Sequence, residues 1–71
     1  MAMDTKVLEQ RARYKVGDKV YVNGLEPATV TARYYRRSTR TIVYDIVGRH
    51  GPIPRIGEER LRERWTGMPG L

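Results

Sequence analysis

Val16-Gly17-Asp18-Lys19-Val20-Tyr21-Val22, Pro27-Ala28-Thr29-Val30-Thr31-Ala32-Arg33-Tyr34-Tyr35 and Thr41-Ile42-Val43-Tyr44-Asp45-Ile46-Val47 follow one another with only short breaks. Each is rich in the β-branched and aromatic residues that suit a pleated strand. In the first, Val16, Val20 and Val22 alternate with polar Asp18 and Lys19 and with Tyr21, which turns the valines inward. The second puts Ala28, Val30 and Ala32 on one face and Thr29, Thr31 and Arg33 on the other. The third sets Ile42, Tyr44 and Ile46 against Val43, Asp45 and Val47. Asn23-Gly24 is a strong hairpin signal, and Gly17-Asp18 marks a reversal just before Lys19. Three consecutive antiparallel strands are expected, the last two joined by the cationic tip Arg36-Arg37-Ser38-Thr39-Arg40.

Working outward, Gly48-Arg49-His50-Gly51-Pro52 reads as a second turn. Ile53-Pro54-Arg55-Ile56 reads as a short edge strand, because Pro54 has no N–H to give a central ladder. Residues 57–61 suggest one helical turn and residues 62–65 a final short strand. Upstream, residues 4–12 suit a short helix capped by Asp4 or Thr5, with Val7, Leu8, Arg11 and Ala12 on one face. That helix could cover an open end of the sheet or pair with a second copy in a homo-oligomer. Small inward alanines suit a tightly curved sheet. The expectation is an all-β, small five-stranded barrel with a short N-terminal helical segment and a single late helical turn. Its parts are an arm or helix over 1–13, the barrel over 14–65 and a flexible tail over 66–71. The expected core is Val16, Val20, Val22, Ala28, Val30, Ala32, Ile42, Tyr44, Ile46, Ile56 and Leu61.

Composition narrows the chemistry. Seventy-one residues make one small domain. With no cysteine and a single histidine, His50, neither disulfides nor thiolate metal sites are available, and no cofactor is expected. No apolar run approaches the roughly 20 residues of a membrane span, and residues 1–6 lack the apolar core of a signal peptide. A soluble, cytoplasmic protein without a membrane partner is the expectation. The net charge is +6, and eleven of the fourteen basic residues are arginine. Arginine's planar fork of donors matches phosphate, so a polyanionic partner is favoured.

Val16-Gly17-Asp18-Lys19-Val20, the alanine-rich second strand, Tyr44-Asp45-Ile46-Val47-Gly48 and Glu59-Arg60-Leu61 together resemble the SH3-like barrels of the Tudor and KOW kind, over roughly residues 16–65. The resemblance implies the fold and a binding role. Members of that group take nucleic acid, methylated side chains or protein partners, and the fold does not choose among them. The layout is also similar to the plasmid-borne type II dihydrofolate reductases, tetramers of such barrels with a Val-Gln-Ile-Tyr motif on the fourth strand. The matching place here reads Ile53-Pro54-Arg55-Ile56, without the glutamine or the tyrosine, so the architecture is implied and the activity is not.

No other catalytic constellation stands out, and the chain is read as a binding module, not an enzyme. His50 lies in a glycine-proline turn, and Glu58 and Glu59 are adjacent on a helical turn, where neighbours diverge. From Arg33 to Arg49 there are five arginines and one acidic residue, a local charge of +4. Arg33, Arg36, Arg37, Arg40 and Arg49 are the candidate phosphate ligands for DNA or RNA, with Tyr34 or Tyr35 as a platform for a base. The alternative is a protein-interaction or assembly component, such as an accessory protein of a phage or mobile element. An exposed apolar patch including Trp65, Val43 or Leu25 would favour it. An aromatic cage for a methylated cation would draw on Tyr14, Tyr21, Tyr35, Tyr44 and Trp65.

Overall fold

The alternating stretches fold as one antiparallel sheet in a computed structural model that describes residues 2–67. Helix α1 (Ala2–Arg11) precedes strands β1 (Lys19–Val22), β2 (Glu26–Arg36), β3 (Thr41–Gly48), β4 (Gly51–Gly57) and β5 (Leu61–Arg62). The spatial order is β4-β3-β2-β1-β5, and a single 3-10 turn, Glu58–Arg60, leads into β5. This order and that late turn are compatible with an SH3-like barrel. Pro54 does lie on an edge strand, as its missing N–H requires. No helix among the described residues is long and apolar enough to cross a membrane.

Two bulges set which side chains face inward. On β2, Val30 pairs with Ile46 but Ala32 with Asp45, so Thr31 is an extra residue, and its hydroxyl donates to the Asp45 carbonyl (3.1 Å). The extra residue reverses the alternation. Ala28 and Val30 face the core before it, whereas Arg33 (opposite Tyr44) and Tyr35 (opposite Ile42) face inward after it. Ala32, expected inside, therefore lies on the other face with Asp45. On β4, Ile56 pairs with Tyr44 and Ile53 with Ile46, which leaves Pro54-Arg55 bulged and Arg55 at φ +52°.

Val20, Val30, Tyr44, Ile46 and Leu61 are fully buried, with Leu8, Ala12, Val22, Tyr35 and Ile53 packed around the core. Val16 is not among them: it is 60 % exposed. Lys15 to Asp18 form a β-turn, closed by the Asp18 N–H on the Lys15 carbonyl (3.0 Å), with Gly17 at φ +98°. The turn uses up the first residues of the expected strand and points Val16 outward. Tyr14 fills the core in its place, edge-on to Tyr44 with ring centroids 5.6 Å apart. Val43, flanked by Tyr34 and Gly57, is also buried.

The short N-terminal helix is present, but its start and the extent of the last strand differ from expectation. Helix α1 begins at Ala2, so Asp4 and Thr5 lie inside it and not at its cap. The last strand stops at Arg62, and Trp65 is exposed. Of the expected tail, Thr66 and Gly67 donate their N–H groups to the Gly24 carbonyl (2.7 and 3.2 Å). Gly24, at φ +77°, must be glycine on two counts, since a Cβ there would sit 1.8 Å from the Thr66 Oγ1. Residues 68–71 of the tail lie outside the described residues.

Candidate functional site

The β2–β3 hairpin closes at the pair Arg36 and Thr41, and the four residues between them form the tip. The Arg40 N–H donates to the Arg37 carbonyl (3.3 Å), and the Thr39 and Thr41 hydroxyls share a hydrogen bond of 2.6 Å. Arg36, Arg37 and Arg40 are all exposed. Arg40 adopts φ +55°, a left-handed conformation that costs a side chain with a Cβ roughly 1 kcal/mol.

The seven candidate residues do not gather at one place. Arg49 follows Gly48, at the opposite end of β3 from Thr41. At ~3.3 Å per residue that is about 23 Å of strand. Arg33 points inward, and its Nη1 donates to the Tyr14 carbonyl (3.1 Å). Tyr35 packs against the core. Tyr34 sits on the outer face, where its hydroxyl donates to Asp45 Oδ2 (2.9 Å) and the Arg55 guanidinium lies 4.1 Å above its ring centroid. One face of that ring is therefore already stacked. Asp45 also accepts the Arg55 N–H on Oδ1 (2.9 Å), and this bond, helped by Tyr34, holds its carboxyl below the ordinary carboxylate value. The bulge of β4 is thus pinned to β3 by Asp45.

What joins Arg40 instead is the end of α1 with the lead-in segment that follows it, residues 12–15. Arg11, Arg13, Arg40, Thr41, Ile42, Glu58 and Glu59 line an open cleft of about 460 Å³ at the root of the tip. Four hydrogen bonds hold the lead-in segment that forms one wall. Besides the Arg33 contact, the Arg13 N–H donates to Glu58 Oε2 (3.0 Å), the Tyr14 N–H to the Tyr44 hydroxyl (3.4 Å) and the Tyr14 hydroxyl to the Leu61 carbonyl (3.3 Å). The Tyr44 hydroxyl in turn donates a short hydrogen bond to Glu58 Oε2. Burial first, and that bond second, raise the Tyr44 phenol well above its ordinary value of 10. The Arg13 guanidinium leans over the Tyr14 ring and reaches Glu63 (3.6 Å).

Arg11 and Arg13 are thus the members that inspection of the hairpin alone leaves out. The basic character of the lead-in segment was visible in the sequence, but its destination beside Arg40 depends on Tyr14 entering the core. Of the five aromatics a methyl-cation cage would draw on, Tyr14 and Tyr44 are buried in that core. At the other end of β2, Leu25 and Trp65 are 50 % and 57 % exposed on either side of the Gly24–Thr66 contact. No family model, curated protein or solved structure matches this chain.

Proposed function

We propose that the protein is a small, non-catalytic nucleic-acid-binding module that holds phosphates with Arg36, Arg37 and Arg40 of the hairpin tip and with Arg11 and Arg13 beside it. The observation that carries this reading is the meeting of two basic segments, distant in sequence, around one cleft at the exposed tip. Arginine forks there can each take a phosphate bidentately. Arg33 and Tyr35 support the interface from within, and Arg49 lies apart from it. Fluorescence anisotropy of labelled single- and double-stranded DNA and RNA at several salt concentrations tests the proposal. Each phosphate contact contributes a log–log slope of about −0.7 to −0.9, so three to five contacts give roughly −2 to −4.5. Arg36→Ala with Arg40→Ala should flatten that slope, and absence of binding at low salt refutes the reading.

A second reading, a protein-interaction or assembly role, is favoured by exposed Leu25 and Trp65. Trp65 is the sole tryptophan, so a partner docking there would shift the intrinsic fluorescence, while an oligonucleotide held at the tip would leave it unchanged.

A further inference from the structure

We propose that the cleft at the root of the hairpin takes one unpaired nucleotide and selects guanine, with the phosphate on Arg11 and Arg40 and the base edge on Glu59. This rests on the nucleic-acid reading above and adds a base preference to it. The cleft is charged with both signs, three guanidinium groups and two carboxylates. Glu58 is already engaged, because its Oε2 accepts from the Tyr44 hydroxyl and the Arg13 N–H. Glu59 is different. Arg62 uses its backbone carbonyl (2.6 Å), but among the described residues its carboxylate has no hydrogen bond or ion pair. Arg11 and Arg40 likewise have no carboxylate partner among the described residues. The two Glu59 carboxylate oxygens lie over the bare Cα of Gly57: a Cβ there would come within 2.4 and 2.5 Å of them.

A ligand matched to this cleft carries an anion for the arginines and N–H donors for an acceptor-only carboxylate. An acidic peptide segment supplies the first, and Glu58 and Glu59 would repel it. A nucleotide supplies both. At about 460 Å³ the cleft has the size of a small-ligand site and admits one nucleotide, not a duplex. Among the bases only guanine presents two adjacent donors, N1–H and the 2-amino group, at the spacing of two carboxylate oxygens. Adenine and cytosine place a ring acceptor beside their amino group, and thymine or uracil flanks its one N–H with two carbonyls. That edge of guanine is free only when the base is unpaired, which is how single strands are read by sequence. The arginine planes lining the cleft offer stacking contact to the ring.

The test is anisotropy with a labelled thymidine oligomer, the same oligomer carrying one central dG, and the latter annealed to its complement. The dG oligomer should bind at least about fivefold more tightly than the all-thymidine one, the lower end for a bidentate base contact, and annealing should remove the preference. Glu59→Gln should abolish the preference while leaving thymidine affinity unchanged or raised, because it removes a negative charge beside the phosphate. Gly57→Ala should also reduce the preference, at constant charge, by displacing the Glu59 carboxylate. Its backbone, at φ −70° and ψ 147°, accepts any residue. Equal binding of the dG and thymidine oligomers overturns the guanine site and leaves phosphate binding standing. Binding of no oligonucleotide overturns both.

Discussion

The Tyr44 hydroxyl is the point through which the lead-in segment, the sheet and the 3-10 turn are joined, and Tyr44→Phe isolates it. The ring stays, so no cavity opens and the loss is one of hydrogen bonding. A bond to a carboxylate is worth about 1.5–3 kcal/mol and a neutral one about 1 kcal/mol. The Tyr14 N–H contact, at 3.4 Å, is long and falls at the weak end. Glu58 keeps the Arg13 N–H and faces the open cleft, so water restores part of its solvation. The expected cost is about 2 kcal/mol, against a total stability of roughly 4–10 kcal/mol for a chain of this length. That corresponds to a fall in Tm of about 10 °C. Urea denaturation followed by circular dichroism should show a lower midpoint at an unchanged slope. Tyr14→Phe, which loses only a neutral bond to the Leu61 carbonyl, should cost about half as much, near 1 kcal/mol. A Tyr44→Phe protein within about 0.5 kcal/mol of the parent, a change typical of uninvolved surface positions, would refute the argument. So would a Tyr14→Phe cost larger than that of Tyr44→Phe. The pH profile gives a second check. The folded protein retains the Tyr44 proton well above pH 10, whereas the unfolded chain releases it near 10. Stability should therefore fall as pH rises beyond 10, and fall less steeply in the Phe variant.

Two further outcomes follow from the backbone and its partners. Arg40→Gly should raise stability by about 0.5–1 kcal/mol, because glycine adopts φ +55° without a Cβ penalty. The same change should weaken oligonucleotide binding and reduce the salt slope by about 0.7–0.9. Asp45→Asn should destabilise the β4 bulge, seen as faster hydrogen exchange at the Arg55 amide that Asp45 accepts. Since that amide holds the Asp45 carboxyl below its ordinary value of 3.8, its contribution is present above that pH and is lost as pH falls below it. The Asn variant should accordingly show a shallower acid-side decline.

The sheet was legible because its alternation is strong: Val20, Ala28, Val30, Ile42, Tyr44 and Ile46 are buried where a period of two puts them. The edge position of Ile53 to Ile56 was legible for a different reason, the chemistry of Pro54. What was not legible lies after the bulges. One extra residue at Thr31 moves Arg33 and Tyr35 inward and Tyr34 outward, and no local signal in Thr29-Val30-Thr31-Ala32 announces it. The placement of the candidate residues was only partly legible for the same reason. Sequence proximity grouped Arg49 with Arg40, although a strand of eight residues separates them. It also left out Arg11 and Arg13, which reach Arg40 only through the burial of Tyr14.

Among the described residues, three non-glycine residues stand at positive φ, each in a different local setting. Asn23 stands in a tight turn beside Gly24, where asparagine tolerates that conformation. Arg55 is held by its N–H bond to Asp45 and by its guanidinium over Tyr34, contacts that offset the strain and lock the bulge. Arg40 has the same conformation in the hairpin tip, where its N–H donates to the Arg37 carbonyl (3.3 Å), and its side chain borders the cleft. Folding alone would be better served there by glycine or asparagine. Under the proposed function Arg40, ahead of Arg36 or Arg37, is the residue that tip and cleft share, because it alone of the three lines the cleft.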